Sequence, residues 1–305
     1  MKITNMNNPA QIKFAFFGSS RLSIIVLDEL AKRGIIPGLI ISGPDKPKDR
    51  GHELHPNIVK EYALKNNIPV ESPIKLDSNF IEKLTTTLKL RRASKSQSWD
   101  IFLVASYGKI IPKTVIELPT KGSLNIHPSL LPKYRGPSPL PSTILDDQKR
   151  TGVTIMKMDE QMDHGPIVAQ KEILITEWPT YEDYEEMMAR EGARLFADTI
   201  TEFISGNIEL IEQDHAAATF TKKIVKDDAL LNLSDDAYLN FRKIQAFHEW
   251  PQAFFFLEHR GRQIRVKVTE AVFESGQLQI LRVIPEGGKE MGYTDFKRGY
   301  GVSAK

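Results

Sequence analysis

Short apolar segments alternate with helix-forming segments through the first two hundred residues, and this alternation most constrains the fold. The runs IKFAFFGSS at 12–20 and DIFLVASY at 100–107 are apolar enough to be strands buried on both faces. Between them, 22–33 and 77–90 carry apolar residues at helical spacing. Strands that alternate with helices in this way predict a parallel sheet covered on both faces.

Other segments extend the same pattern. A helix over 181–205 is well bounded, because Thr180 and Asp183 fit a capping box at its start and Gly206 ends it. We also predict a long polar loop at 43–57. Further strands are predicted at 35–43, 67–73, 122–128, 151–159 and 167–175, and a further helix at 58–66.

The pattern of polar and apolar segments changes after Gly206. A polar connector is followed by one amphipathic helix at 234–247 and by three short strands within 252–284. Turns between those strands are predicted at Arg260–Gly261 and at Ser275–Gly276. A small β-rich module with a single helix is typical of a barrel.

The predicted fold class is therefore α/β. A Rossmann-like doubly wound sheet comes first, and a small OB-like β-barrel follows it. The domain boundaries that we predict are 1–207 for a catalytic domain, 208–221 for a linker and 222–305 for the second domain.

Composition excludes several classes of protein. The chain has no cysteine, which excludes disulfides, thiolate metal sites and a cysteine nucleophile. Its net charge of +2 is too small for a strongly basic coat protein. No uncharged apolar run approaches the roughly 18 residues that a membrane span needs, and the first ten residues are polar. We therefore expect a soluble cytoplasmic protein with no membrane partner.

The usual nucleotide and metal motifs are missing from the sequence. The first strand ends in GSSR at 18–21 rather than in G-x-G-x-x-G, which argues against a dinucleotide site. The sequence also has no G-x-x-x-x-G-K-[ST] and no H-E-x-x-H. We therefore expect neither a nucleotide cofactor nor a metal.

Asn125 and His127 are the first candidates for chemistry. They lie two residues apart on a predicted strand, so their side chains point to the same side. The amide can donate a hydrogen bond to a developing oxyanion, and the imidazole can move a proton near neutral pH. On spacing alone, a structurally satisfied pair at a strand end is the more common explanation.

Asp163 is the third candidate. It lies in the turn DHG after a predicted strand, where a carboxylate could orient a histidine from a neighbouring strand and favour its protonated form. The alternative is an Asx turn, in which the Asp163 carboxylate bonds its own backbone. Taken alone, the turn favours that alternative.

Two stretches together carry a resemblance that covers about residues 12–300. GSLNIHPSLLPKYRG at 122–136 and TGVTIMKMDEQMDHGPI at 151–167 resemble the folate-dependent formyltransferases. This resemblance implies 10-formyltetrahydrofolate as co-substrate. It also implies catalytic roles for Asn125, His127 and Asp163. The folate-binding loop that it implies consists of Ser129, Leu130, Leu131 and Pro132.

Three features resemble the branch of this family that formylates initiator tRNA charged with methionine. The loop PDKPKDRG at 44–51 resembles the loop that reaches the tRNA acceptor end, which implies contacts from Lys48 and Arg50. FTKKI at 220–224 and IQAFHEWP at 244–251 resemble the start and the helix end of its OB-like domain. The third feature is the overall length. This resemblance implies formyl transfer to the α-amine of the methionyl residue, by an enzyme that we expect to be a monomer.

Some positions and two rival functions stay open. The stretch LKLRRASKSQS at 88–98 is basic, and a solvated surface loop is the simpler interpretation than a phosphate contact. His164 stands where the family often has Thr.

The rival functions are formylation of a nucleotide-linked amino sugar, and tRNA binding by a silent transferase fold. Basic residues that we expect to contact tRNA phosphates in the second domain are Lys222, Lys223, Arg260, Arg262, Arg265 and Lys267. Arg265 and Lys267 share one face of a strand, and an equal alternative is that this face only keeps an edge strand soluble.

Overall fold

The computed structural model describes residues 12–48, 53–90 and 98–301. The chain divides into two compact units. The first unit comprises Met1–Gly136, Gly152–Ile173 and Glu186–Phe220, and the second comprises Pro137–Thr151, Leu174–Glu185 and Thr221–Lys305. The functional domains predicted above, with their linker, stay a prediction.

Most elements of the first 205 residues follow the predicted alternation. The predicted loop at 43–57 instead contains two short paired strands, Lys46–Lys48 and Glu53–His55, and the short helices Lys113–Ile116 and Pro139–Leu145 were not predicted. The strands are β1 (Phe14–Phe17), β2 (Leu39–Ile41), β3 (Lys46–Lys48), β4 (Glu53–His55), β5 (Val70–Glu71), β6 (Ile101–Val104), β7 (Ser123–His127), β8 (Arg150–Lys157) and β9 (Ile167–Leu174). The helices are α1 (Arg21–Ala31), α2 (Ile58–Lys65), α3 (Ser78–Leu90), α4 (Lys113–Ile116), α5 (Pro139–Leu145) and α6 (Tyr181–Ser205).

Seven of these strands form one sheet in the order β5-β2-β1-β6-β7-β8-β9. The strands from β5 to β7 are parallel to their neighbours, which confirms the Rossmann-like fold class. β8 instead runs antiparallel to β7, with His127 opposite Thr154. The expectation that this strand extends a parallel sheet is therefore wrong. This pairing means that β8 begins near the sheet edge at which β7 ends.

The topological switch point lies between β1 and β6. The chain moves outward from β1 to β2 and β5, and it then resumes on the other side of β1 with β6. At the carboxyl ends of these two strands, Ser19 donates its main-chain N–H to the carbonyl of Ser106 over 3.0 Å. Ser20 adds a hydroxyl contact of 2.8 Å to Ser106. Ligands of doubly wound sheets bind at this edge, because the two chain directions leave a crevice there.

Helix α6 packs against the back of β7. Its predicted bounds are confirmed, and Thr180 accepts the main-chain N–H of Asp183 at its start. Within the helix, Gly192 faces Ile126: a Cβ built on Gly192 would lie 2.4 Å from Ile126 Cγ2. Only glycine allows this close approach, which places Ile126 on the helix side of β7.

The elements after residue 220 form an antiparallel sheet with two helices. The predicted turns are confirmed, since Arg260, Gly261, Ser275 and Gly276 all have the positive φ of a two-residue hairpin loop. The short elements β13 and α8 were not predicted, because neither has a clear apolar period. The elements are α7 (Ala237–Ala246), β10 (Phe254–His259), β11 (Arg262–Glu274), β12 (Gln277–Pro285), β13 (Met291–Gly292) and α8 (Tyr293–Tyr300).

Candidate active site

Strand β7 carries Asn125 and His127 on the face opposite α6. Ile126, between them, points to the helix, so the alternation of a strand turns its two neighbours the other way. Asn125 is paired in register with Val104, the last residue of β6. Both candidate residues therefore lie at or next to the carboxyl edge of the parallel strands.

The structure brings Asp163 to both of these side chains. Asn125 donates from Nδ2 to Oδ1 of Asp163 over 3.4 Å. The same oxygen lies 3.6 Å from Nδ1 of His127, and the His127 and Asp163 side chains are 5% and 13% exposed. An amide, an imidazole and a carboxylate thus converge in a largely water-excluded place.

Two main-chain groups complete this arrangement, and the sequence reasoning missed both. Gly136 donates its N–H to Oδ2 of Asp163 over 2.7 Å. His127 Nε2 lies 2.9 Å from the carbonyl oxygen of Tyr134. A carbonyl only accepts hydrogen bonds, so Nε2 carries a proton and Nδ1 is the nitrogen that faces Asp163. Both partners belong to YRG at 134–136, the end of the stretch 122–136 that carries the resemblance. Their place in that stretch was the sequence signal that could have identified them.

The turn that carries Asp163 has little freedom to move. Asp163 has a φ of 51°, and a Cβ on Gly165 would lie 2.0 Å from the carbonyl oxygen of Lys157. The Asp163 carboxylate is directed to Gly136 and Asn125 and away from its own turn. The described bonds therefore differ from those of an Asx turn.

The predicted folate-binding loop is held by bonds within the protein. Ser129 is fully buried, and its carbonyl accepts the Thr154 hydroxyl over 2.6 Å. The same hydroxyl accepts the Leu131 N–H over 3.2 Å. Leu131 is buried as well, while Leu130 and Pro132 are partly exposed. The loop is thus a rigid surface on which mainly Leu130 and Pro132 are open to contact.

A further loop at this edge was not singled out from the sequence. The chain leaves β6 beside Asn125, and Ser106 and Gly108 take positive φ values of 54° and 73°. Lys109 anchors the loop by donating to the carbonyls of Pro73 and Ile74. Ile110 follows with 85% of its surface exposed. An apolar side chain held open here can pack against a flat ring.

His164 points away from the Asp163 carboxylate. Its Nδ1 lies 2.6 Å from Asp159 Oδ2. Its ring stacks on that of His215 with centroids 4.0 Å apart and planes 3° from parallel. His164 is therefore engaged with other partners than the three converging side chains.

The residues predicted to contact tRNA are only partly described. Arg50 and most of 88–98 lie outside the described residues, and Lys48 is described only as the end of β3, which pairs with β4.

In the second unit, Arg265 lies over the Phe254 ring at 5.5 Å. Lys267 donates to Gln252 over 2.7 Å. A groove of about 210 Å³ in this unit is lined by Lys226, Glu249, Trp250, Pro251, Gln252, Phe254, Arg265 and Lys267.

Neither a metal-binding cluster nor a membrane-spanning helix is found among the described residues. Within 12–48, 53–90 and 98–301, no group of three or more His, Asp or Glu side chains is placed to bind a metal ion. Among the helices in that part of the chain, none combines the length and the apolarity that a bilayer span requires.

Comparison with known proteins identifies relatives along nearly the whole chain. The formyl transferase family model matches residues 12–200. A methionyl-tRNA formyltransferase of Thermodesulfovibrio yellowstonii is 35% identical over 302 residues, which cover 93% of this chain and 94% of that protein. The protein of the same name from Thermotoga maritima is 36% identical over 246 residues, or 81% of this chain and 76% of its own.

A solved structure shows the same fold at low identity. The sugar 3N-formyl transferase WlaRD, crystallised in the presence of dTDP and 5-N-formyl-THF, superposes with a TM-score of 0.57 at 22% identity. The superposition covers 87% of each chain. At this identity the likeness concerns the fold alone.

Proposed function

This chain belongs to the methionyl-tRNA formyltransferase family, and we propose that it formylates methionyl initiator tRNA with Asn125, His127 and Asp163 as its catalytic residues. The formyl group comes from 10-formyltetrahydrofolate, and the product is N-formylmethionyl-tRNA. The convergence of Asn125 and His127 on one oxygen of Asp163, at 3.4 and 3.6 Å, is the observation that supports these roles.

The proposed reaction is a direct acyl transfer. The free α-amine of the methionyl residue attacks the formyl carbon, a C–N bond forms, and a tetrahedral oxyanion develops. Asn125 donates a hydrogen bond to that oxyanion, an interaction worth about 2.7–4 kcal/mol in comparable enzymes. The bond from the formyl carbon to the folate nitrogen then breaks, and one proton passes from the attacking amine to that nitrogen.

His127 is the group that moves this proton, directly or through one water. Its Nε2–H is held by the Tyr134 carbonyl, so the other nitrogen is the one free to exchange a proton. Asp163 lies on the side of that nitrogen. Its negative charge stabilises the imidazolium that forms when His127 accepts the proton.

We propose that the folate co-substrate binds along the carboxyl edge of the sheet. Leu130 and Pro132 of the internally bonded loop offer partly exposed apolar surface on one side. Ile110 offers a more exposed apolar side chain on the loop that follows β6. Exposed apolar surface of this kind suits a flat heterocycle, because the ring buries apolar area when it binds. Ser129 and Leu131, which are buried, contribute by keeping the loop in shape.

For the tRNA we propose two contact regions. One is the loop with Lys48 and Arg50, which would approach the acceptor end. The other is the groove in the second unit, where Lys226, Arg265 and Lys267 supply positive charge beside the exposed Trp250 ring. Cations next to an open aromatic face are the combination that binds the phosphates and bases of nucleic acid.

The domain roles and the state in the cell follow from this proposal. We propose that 1–207 catalyses the transfer, that 208–221 links it, and that 222–305 contacts tRNA. We further propose that the protein acts in the cytoplasm, because the initiator tRNA that it formylates is charged and used there. We propose separately that it is a monomer. Light scattering of the purified protein tests the oligomeric state.

A transfer assay tests the function. The purified protein is mixed with 10-formyltetrahydrofolate and with initiator or elongator tRNA charged with methionine. We expect formylation of the initiator alone. Transfer to a nucleotide-linked amino sugar in place of tRNA would support the first rival function. Binding of tRNA without any formyl transfer would support a silent transferase fold.

The Arg50 contact has its own test. Arg50→Ala should raise the KM for charged initiator tRNA while the KM for 10-formyltetrahydrofolate stays unchanged. The matched control is Arg33→Ala, which removes an arginine that pairs with Asp198 on the surface. Unchanged kinetics with Arg50→Ala would remove this residue from the tRNA site.

A further inference from the structure

A buried glutamine joins the two loops that hold the catalytic side chains. Gln213 lies in the segment predicted as a polar linker, yet only 4% of its surface is exposed. Its Nε2 donates to the carbonyls of Asp163 over 3.0 Å and of Gly165 over 2.7 Å. Its Oε1 accepts from Nε and Nη2 of Arg135 over 3.1 and 2.6 Å. One side-chain amide therefore uses both of its protons and both of its lone pairs.

The loops on the two sides of this amide each carry catalytic contacts. On one side, Asp163 supplies the carboxylate itself. On the other side, Arg135 stands between Tyr134, whose carbonyl accepts His127 Nε2–H, and Gly136, whose N–H bonds the Asp163 carboxylate. A shift of either loop relative to the other therefore changes the distance between His127 and Asp163.

Burial restricts the movement of the Arg135–Gln213 pair. Arg135 is 3% exposed, and its Nη2 also donates to His215 Nδ1 over 2.9 Å. A buried guanidinium that loses its acceptor pays a large desolvation penalty, so the pairing with Gln213 is strongly favoured. The Arg135 charge also lies 6.0 Å from the centroid of the Phe220 ring.

The chain around Gln213 is itself anchored to both loops. Ile211 exchanges two main-chain hydrogen bonds with Ile167, at 2.8 and 3.0 Å, just after the Asp163 turn. Thr219 accepts the Arg135 N–H at its carbonyl over 2.9 Å, and its hydroxyl accepts the Tyr134 N–H over 2.8 Å. The segment 211–219 thus runs along both loops, with Gln213 in contact with each.

We propose that Gln213 is a positioning residue, which sets the geometry between His127 and Asp163 without contacting substrate. This inference rests on the proposed function, because it concerns the same catalytic pair. The chemistry of the contacts selects glutamine. Two carbonyls need a donor and a guanidinium needs an acceptor, at opposite ends of one planar group. Asparagine is one methylene too short to span both loops, and glutamate has no proton for the carbonyls at neutral pH.

A double-mutant cycle tests the proposal on the full-length protein. We measure kcat and both KM values for wild type, Gln213→Ala, Asp163→Ala and the double variant. Gln213→Ala should lower kcat about 10- to 100-fold, as expected for a misplaced catalytic pair. The KM values should stay within about threefold. With the Asp163 carboxylate already removed, Gln213→Ala should lower kcat by no more than about threefold further.

Two controls separate this role from a defect in folding. Gln148→Ala removes another glutamine, whose Nε2 donates to the Arg150 carbonyl, and it should leave kcat unchanged. If Gln213→Ala does not fold, Gln213→Glu takes its place in the cycle. That variant keeps an acceptor for Arg135, and it replaces the two bonds to the Asp163 turn with repulsion between a carboxylate oxygen and two carbonyl oxygens.

The outcomes distinguish this inference from the proposed function. Wild-type transfer together with losses that multiply fully in the double variant would overturn the positioning role and leave the function intact. A kcat of Gln213→Ala within about threefold of wild type would do the same. Failure of the wild-type protein to formylate any charged tRNA would instead overturn the proposed function.

Discussion

The main-chain N–H of Gly136 donates to the carboxylate of Asp163 over 2.7 Å, and this bond joins two chain segments 27 residues apart. It occupies Oδ2 and leaves Oδ1 turned toward His127 and Asn125. Because a carboxylate bonded by a rigid amide cannot rotate freely, the position of Oδ1 is set before any substrate binds. Such preorganisation is what allows a charged group to stabilise a transition state.

Replacing His127 tests which histidine carries the chemistry. His127→Ala should lower kcat by about 10²- to 10⁴-fold, the usual contribution of a positioned acid–base group, while the protein still folds. His164→Ala should stay within about threefold of wild type, because His164 is bonded to Asp159 and stacked on His215. Steady-state formylation of charged initiator tRNA measures both. Near-normal turnover of His127→Ala would contradict the catalytic role of His127.

Adding one methyl group at Gly165 should disturb the Asp163 turn. The new Cβ would lie 2.0 Å from the Lys157 carbonyl oxygen, and main chain cannot move aside cheaply. We expect Gly165→Ala to lower the free energy of unfolding by about 1–3 kcal/mol and to reduce kcat. Gly299→Ala is the control, since nothing lies within 4 Å of its Cβ. Urea unfolding that shows equal stability for the two variants would contradict this expectation.

The hydroxyl of Tyr107 should be dispensable. It is buried, and it has no hydrogen-bond partner among the described residues, while burial raises the pKa of Tyr107 to about 12. Removing an unsatisfied buried polar group is neutral or stabilising, so Tyr107→Phe should change the unfolding free energy by about 0 to +1 kcal/mol.

Tyr184→Phe is the matched control for that substitution. The Tyr184 hydroxyl is also buried, but it bonds Thr143 and Thr151 at 3.1 Å each. Its removal should therefore cost about 0.5–1.5 kcal/mol. Calorimetric melting of the two variants compares them directly, and a larger loss for Tyr107→Phe would show that its hydroxyl has a partner after all.

Glu29 predicts a pH dependence of stability. The Arg194 hydrogen bond, opposed by burial and helped by Lys32 and Arg190, lowers the pKa of Glu29 from 4.5 to about 2. A carboxylate with a depressed pKa in the folded state stabilises the protein fully above its unfolded pKa. That stabilisation is lost as the pH falls from about 4.5 toward 2.

The difference in unfolding free energy between wild type and Glu29→Gln should follow this window. Above pH 5 we expect about 1–2 kcal/mol, reduced by solvent screening of the partly exposed arginines. The difference should close as the pH falls below 4.5. Glu209→Gln, at an exposed position, serves as the control substitution. A difference that stays constant from pH 6 to pH 3 would refute the role of the ionised carboxylate.

Local signals in the chain predicted a good part of the fold. The start of α6 at Thr180 and its end before Gly206 depend on capping groups only a few residues away. The turns at Arg260–Gly261 and Ser275–Gly276 likewise depend on local preferences for positive φ. Short-range interactions of this kind are present in the sequence itself, which is why the predicted bounds agree with the structure.

Local signals of this kind could not predict contacts between distant segments of the chain. The antiparallel direction of β8 depends on its pairing with β7, which joins residues 124–127 to residues 154–157. The interior position of Gln213 was missed because a polar segment between two apolar ones predicts a solvated linker. A polar side chain is buried only where several distant groups satisfy it at once, and no local pattern records that.

The candidate site combines both kinds of information. The sequence by itself determined that Asn125 and His127 share one face of a strand, because the two-residue period of a strand is a local property. Only the tertiary structure decided that Asp163 meets them and that Gly136, Tyr134 and Gln213 hold this arrangement. The physical reason is that these bonds join segments separated by many residues, and their geometry exists only after the sheet and its loops have packed.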